Sequence, residues 1–93
     1  MEFEWDELKE LKNITKHGIS FARSVETFKD PYGRKVRDSE HSESESRFIW
    51  VGEDSNKEVL TTRFTVRGKK IRIIGCGAWR KYRKIYYETK NKE

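Results

Sequence analysis

The chain is 93 residues long, which suits one small domain spanning 1–93 and excludes a second core. Charged side chains make up 40% and aromatics 13%, with 1 proline, so disorder throughout is excluded. The formal net charge of +5 is unevenly placed: residues 1–45 hold 8 basic and 11 acidic side chains, residues 46–93 hold 13 and 5, which points to a polyanion or a strongly acidic protein docking on the C-terminal half.

In chain order, Met1-Glu2-Phe3-Glu4-Trp5 is neither basic nor continuously apolar, so no signal peptide is expected. Phe3 and Trp5 alternate with acidic residues, the pattern of a short strand. Asp6 is placed to cap a helix whose first turns hold Glu7 and Glu10, where the helix dipole favours negative charge. Leu8, Leu11 and Ile14 or Thr15 read as its buried stripe, and Gly18 as its stop. Ser20 caps a second helix to about Lys29 that buries Phe21, Val25 and Phe28, and Asp30-Pro31-Tyr32-Gly33 ends it. Arg34 to Arg37 reads as a short strand. Asp38 to Ser46 is too polar to bury anything and reads as an exposed loop.

Three strands follow, over 47–51, 59–66 and 69–76, the first two joined by a turn at Asp54-Ser55-Asn56-Lys57. Leu60, Thr62, Phe64 and Val66 share one face, as do Ile71 and Ile73. A two-residue turn at Arg67-Gly68 sets Arg63 directly opposite Arg72. Two like charges so placed cost stability unless an anion lies between them. After Gly75-Cys76-Gly77 the period becomes helical, with Trp79, Tyr82, Ile85 and Tyr86 on one face and Arg80, Lys84 and Tyr87 on another. The single cysteine excludes an internal disulfide and fits a reducing compartment. No apolar run approaches the about 20 residues of a membrane span, so a cytoplasmic protein without a membrane partner is expected.

From Val59 to Tyr87 there is no acidic side chain, and arginines and lysines alternate with large aromatic and aliphatic residues. Binding RNA needs this combination, cations for the phosphate backbone and rings for splayed bases. The same composition also suits a solvated charged face over a core.

Three groups of residues carry a more specific pattern. Phe3-Glu4-Trp5-Asp6, Lys9, Asn13 and Lys16-His17-Gly18-Ile19-Ser20-Phe21 open the chain. Asp38-x-x-His41-Ser42-x-x-Glu45-x-Arg47 stands in the middle, and Arg72-Ile73-Ile74 with a basic helix ending in Tyr87-Glu88 closes it. In order and spacing, over nearly the whole chain, they resemble the BrnT toxin family. The resemblance implies an α+β, RelE-like fold: an N-terminal strand and two helices packed on a curved antiparallel sheet, with a C-terminal basic helix. It implies a ribonuclease that halts translation, neutralised by a BrnA-like ribbon-helix-helix antitoxin. The pair would repress its own operon, operator DNA being reached only through the antitoxin. The chain departs from the family at Ile74-Gly75-Cys76-Gly77, where many members read Ile-Ser-Ala-Arg, and at Arg83, where Glu is common. Arg80 is placed to supply the missing cation.

RNA cleavage without a metal or other cofactor requires a deprotonated 2′-OH, a stabilised phosphorane and a protonated leaving oxygen. Arg63, Arg72 and Arg80 suit the second task, because guanidinium presents a bidentate fork to phosphate. His41, in a polar loop beside Glu40 and Glu45, suits proton transfer, and His17 at the end of the first helix competes for that role. Lys16, Arg47, Lys81 and Lys84 are candidate phosphate contacts, with Trp79 and Tyr87 as candidate stacking platforms. Cys76 has no histidine near it in sequence and reads as a buried thiol. A different class fits the same residues: a binding module without catalysis, or a degenerate toxin that only pairs with its antitoxin.

Overall fold

The computed structural model describes residues 2–38 and 45–92. Five strands pair in the order β1-β5-β4-β3-β2: β1 (Glu2–Trp5), β2 (Arg34–Arg37), β3 (Arg47–Glu53), β4 (Val59–Arg67) and β5 (Lys70–Gly77). Three helices complete the α+β architecture: α1 (Glu7–His17), α2 (Phe21–Thr27) and α3 (Arg80–Lys90). The sheet is mixed, correcting the antiparallel expectation. Neighbours from β2 to β5 are antiparallel, but β1 lies parallel to β5 with Phe3 beside Ile71 and Trp5 beside Ile73.

The β4–β5 hairpin turns one residue later than the sequence suggests. Arg67 pairs with Lys70, so Gly68 and Lys69 form the turn, and Gly68 takes a left-handed φ of 61°. Glycine is the residue that enters this region without a steric cost, and a positive φ at the first of two turn residues matches the strand twist. Phe64 then faces Ile73, while Arg63 faces Gly75. The extra residue, Ile74, bulges out of the ladder.

Opposed residues share a face, so the register assigns each side chain to one of two layers. Leu60, Phe64, Ile73 and Cys76 point to the α1–α2 side, where Ile19 and Phe21 complete a buried cluster flanked by Phe3, Trp5 and Val25. Phe28 caps α2 and stacks on Trp50 with 10° between the ring planes, and it meets Phe3 and Phe64 edge-on. Ile49, Val51 and Val59 point the other way and are covered by Tyr86 and Tyr82 of α3. The helices therefore sandwich the sheet. Val66, expected inward, lies beside the turn at the end of the hairpin and is 53% exposed.

The caps of α1 fall where the sequence places them, Asp6 accepting from Leu8 N and Lys9 N, and Gly18 closing the C-terminus. Its buried face does not. Leu8 is 70% exposed, Leu11 59% and Ile14 40%, and no residue of α1 is fully buried. The inward residues are polar because β1 ends opposite Ile73, and α1 runs along the β5 edge beyond it. Asn13 Oδ1 accepts from Cys76 N at 3.1 Å and Asn13 Nδ2 donates to Ile19 O at 2.9 Å. Glu10 Oε2 accepts from Phe21 N at 2.9 Å. Backbone groups left by the sheet and by α2 are paired by side chains of α1, which is what buried peptide groups require.

Candidate functional site

On the α3 side of the sheet, α3 covers only the end near Val51, Thr61 and Gly77. At the border of the covered region lies a cavity of about 360 Å³. Its floor is Ile49, Thr61 and Arg63, its rim holds Lys81 and Tyr82 from α3 with Trp79 before it, and Asp38 closes the far wall. Two cations, two aromatics and one carboxylate thus converge on one depression.

Local sequence explains each placement. The bulge at Ile74 leaves Gly75 opposite Arg63, and a Cβ there would meet Arg63 Nη2 at 3.5 Å, so the guanidinium lies directly along β5. At Gly77 a Cβ would stand 2.4 Å from the Trp79 ring. Only glycine lets that indole fold back over the strand end. Trp79 remains 41% exposed and meets the His17 ring edge-on, with 5.4 Å between centroids. The C-terminus of α1 and the N-terminus of α3 therefore abut at this corner.

The start of α3 is electrostatically unusual. Trp79 is its N-cap and supplies no side-chain hydrogen bond, and no acidic residue stands in the first turn. Arg80, Lys81 and Arg83 crowd instead at the end where the dipole already favours an anion. Free N–H groups and three cations at one helix start suit a phosphate.

The residues singled out from the sequence separate on this frame. Arg63, Lys81 and Trp79 come together in the cavity, and His17 reaches it through Trp79. Lys16 is exposed in the last turn of α1. Arg80 and Lys84 are exposed on α3 outside the cavity. Tyr87 lines a different depression of about 490 Å³ with Arg83, Lys57 and Glu58. Arg47 lies in a row across the sheet with Thr65, Arg72 and Glu4. His41 lies outside the described residues.

Arg72 requires a correction. It faces Thr65 rather than Arg63, and its Nη1 donates to Glu4 Oε2 at 2.7 Å. The parallel pairing of β1 with β5 sets Glu4 beside it. Glu4 and Arg72 stand 68 residues apart, so no local pattern in the sequence links them. Asp38, Ile49, Thr61 and Tyr82 are the cavity residues that sequence reasoning did not single out as site residues, although Asp38 opens the motif around His41 and Tyr82 sits on the predicted inner face of α3. Burial pushes the Cys76 thiol up although Thr62 Oγ1 donates to its Sγ at 3.6 Å, the setting of a buried structural thiol.

The Brucella abortus ribonuclease toxin BrnT, known from a crystal structure, superposes with a TM-score of 0.66 over 85% of this chain and 96% of that one. Identity is 22%, so this likeness shows the fold. No curated protein matches the chain. A family described as the ribonuclease toxin BrnT of type II toxin-antitoxin systems matches residues 5–82, from the end of β1 into α3. The chain belongs to the BrnT family of ribonuclease toxins of type II toxin-antitoxin systems.

Proposed function

We propose that this chain is a metal-independent endoribonuclease, a toxin of RelE-like descent that cuts RNA and halts translation. A BrnA-type ribbon-helix-helix antitoxin would hold it inactive, and the two together would repress their operon. One observation carries the catalytic reading: the cavity that joins Arg63 and Lys81 to Trp79 and Tyr82 at the uncapped start of α3. Arg63 and Lys81 take the scissile phosphate and stabilise its developing charge, as preorganised cations do in a partly water-excluded site. Trp79 stacks a flanking base.

For the proton transfers, the described residues offer the Asp38 carboxylate on the cavity wall and the His17 imidazole against Trp79. His41 is tested beside them. The deciding assay incubates purified protein with total RNA in excess EDTA, and compares it with Arg63→Ala/Lys81→Ala, Asp38→Asn, His17→Gln and His41→Gln. Cleavage by the wild type that the double variant loses supports the reading. Intact RNA, with binding retained, favours the non-catalytic module, a reading helped by Arg72 being engaged with Glu4 instead of facing the cavity.

A further inference from the structure

The helix α1 is amphipathic in the reverse sense: its polar side faces the protein and its aliphatic side faces solvent. Leu8, Leu11 and Ile14 follow at three-residue spacing and are all exposed. On one side of this stripe Lys9, Lys12 and Lys16 stand at i, i+3 and i+7, so they form a continuous row of exposed cations. Lys12 and Lys16 have no ion-pair partner among the described residues. On a helix already fixed by its polar side, Leu8 and Leu11 contribute little to the packing of this chain.

We infer that the outer face of α1 is a docking surface for an acidic amphipathic helix of a partner protein. Aliphatic side chains of the partner would cover Leu8, Leu11 and Ile14, and its carboxylates would pair the lysine row. Charge selects this occupant over a second copy. An antiparallel two-fold pairing of α1 with itself sets lysine row against lysine row, and a parallel one leaves both lysine rows without a facing row of carboxylates, whereas an acidic helix pairs them all. A lipid surface is a poorer fit, since the stripe lacks the aromatic side chains that anchor helices at a membrane interface. The stripe also ends beside His17 and Trp79, so a partner laid along α1 stands at the cavity mouth.

The inference rests on the reading that this toxin pairs with an antitoxin, and its test separates the two. The full chain is coexpressed with the protein encoded by the adjacent gene, and the affinity of the purified pair is measured. The same is done for Leu8→Glu/Leu11→Glu and for Lys9→Gln/Lys12→Gln, with thermal stability and RNA cleavage of each variant as controls. The expected result is a wild-type complex weakened about tenfold or more by the leucine variant, and a slower, less salt-dependent association for the lysine variant, with both controls unchanged. Undiminished affinity of both variants overturns the α1 surface and leaves the antitoxin reading standing. Absence of any wild-type complex overturns the partnership itself. Leucine-dependent dimers in sedimentation, or leucine-dependent binding to phosphatidylserine vesicles, would replace the proposed occupant.

Discussion

Trp79 stands edge-on to His17, their ring centres 5.4 Å apart, because Gly77 leaves room for the indole to fold back. An alanine at 77 would place its Cβ 2.4 Å from that ring. Strand geometry tolerates alanine there, as Gly77 is not among the positive-φ glycines. Gly77→Ala should therefore swing Trp79 out and spare the sheet. Single-stranded RNA binding should weaken by about 1–3 kcal/mol, the worth of one stacked base, and Trp79→Ala should weaken it equally. A fluorescence titration reads both. Unaltered affinity in the two variants would remove Trp79 from the RNA site.

Arg63 and Arg72 should behave as opposites. Arg63→Ala should abolish RNA cleavage and leave the melting temperature nearly unchanged, since its neighbours are Gly75 and open cavity. Arg72→Ala should retain cleavage and lose part of the Glu4 pair, a partly exposed contact worth about 0.2–1 kcal/mol. Arg72→Glu should lose more stability than Arg72→Ala, because it sets two carboxylates together across the β1–β5 ladder. A thermally neutral Arg72→Glu that cannot cleave would return Arg72 to the active machinery.

The contrast marks what sequence can and cannot convey. Caps at Asp6, Ser20 and Gly18, and the alternation of Ile71 and Ile73, are local signals, and the structure keeps them. Register is not local. The turn at Gly68-Lys69 moved the partner of Arg63 from Arg72 to Ile74, and the bulge at Ile74 moved it on to Gly75. The parallel pairing of β1 with a strand 68 residues away gave Arg72 its carboxylate. The stripe of α1 was misread for a related reason. Periodicity identifies an apolar face, but only tertiary structure says whether that face meets the core or another molecule.

Two aspartates should set the acid limit of the fold. At Asp54 burial alone would raise the carboxyl, but Arg23 and the N–H groups of Glu58 and Asn56 bring it below its ordinary 3.8. At Asp30 burial is likewise outweighed, by Tyr86 Oη and the N–H groups of Glu53 and Tyr32. A depressed folded value means the stabilisation is complete above 3.8 and disappears as pH falls through that lower value. The melting temperature should stay level to about pH 5 and drop steeply below about pH 4. Asp54→Asn should lower it at neutral pH and flatten the acid slope. A slope unchanged in that variant would assign the acid transition to other carboxyls.

Asn13 is the residue on which α1 hangs. Its side chain joins two segments that secondary structure leaves unpaired, accepting from Cys76 N and donating to Ile19 O. Asn13→Ala removes both bonds and leaves a part-buried donor and acceptor, at a cost of about 1–3 kcal/mol. For a domain of this size each kcal/mol lowers the melting temperature by about 4–8 °C. Asn13→Asp keeps the acceptor for Cys76 N and loses the donor to Ile19 O, so it should fall between. Because His17 lies one turn further along the same face, loosening this anchor should also release His17 from Trp79. The expected signature is a shifted Trp79 indole N–H resonance together with reduced cleavage, while the Leu60–Phe64 core stays intact. A large loss of stability with an unmoved Trp79 resonance would mean that Gly77, not α1, holds the indole in place.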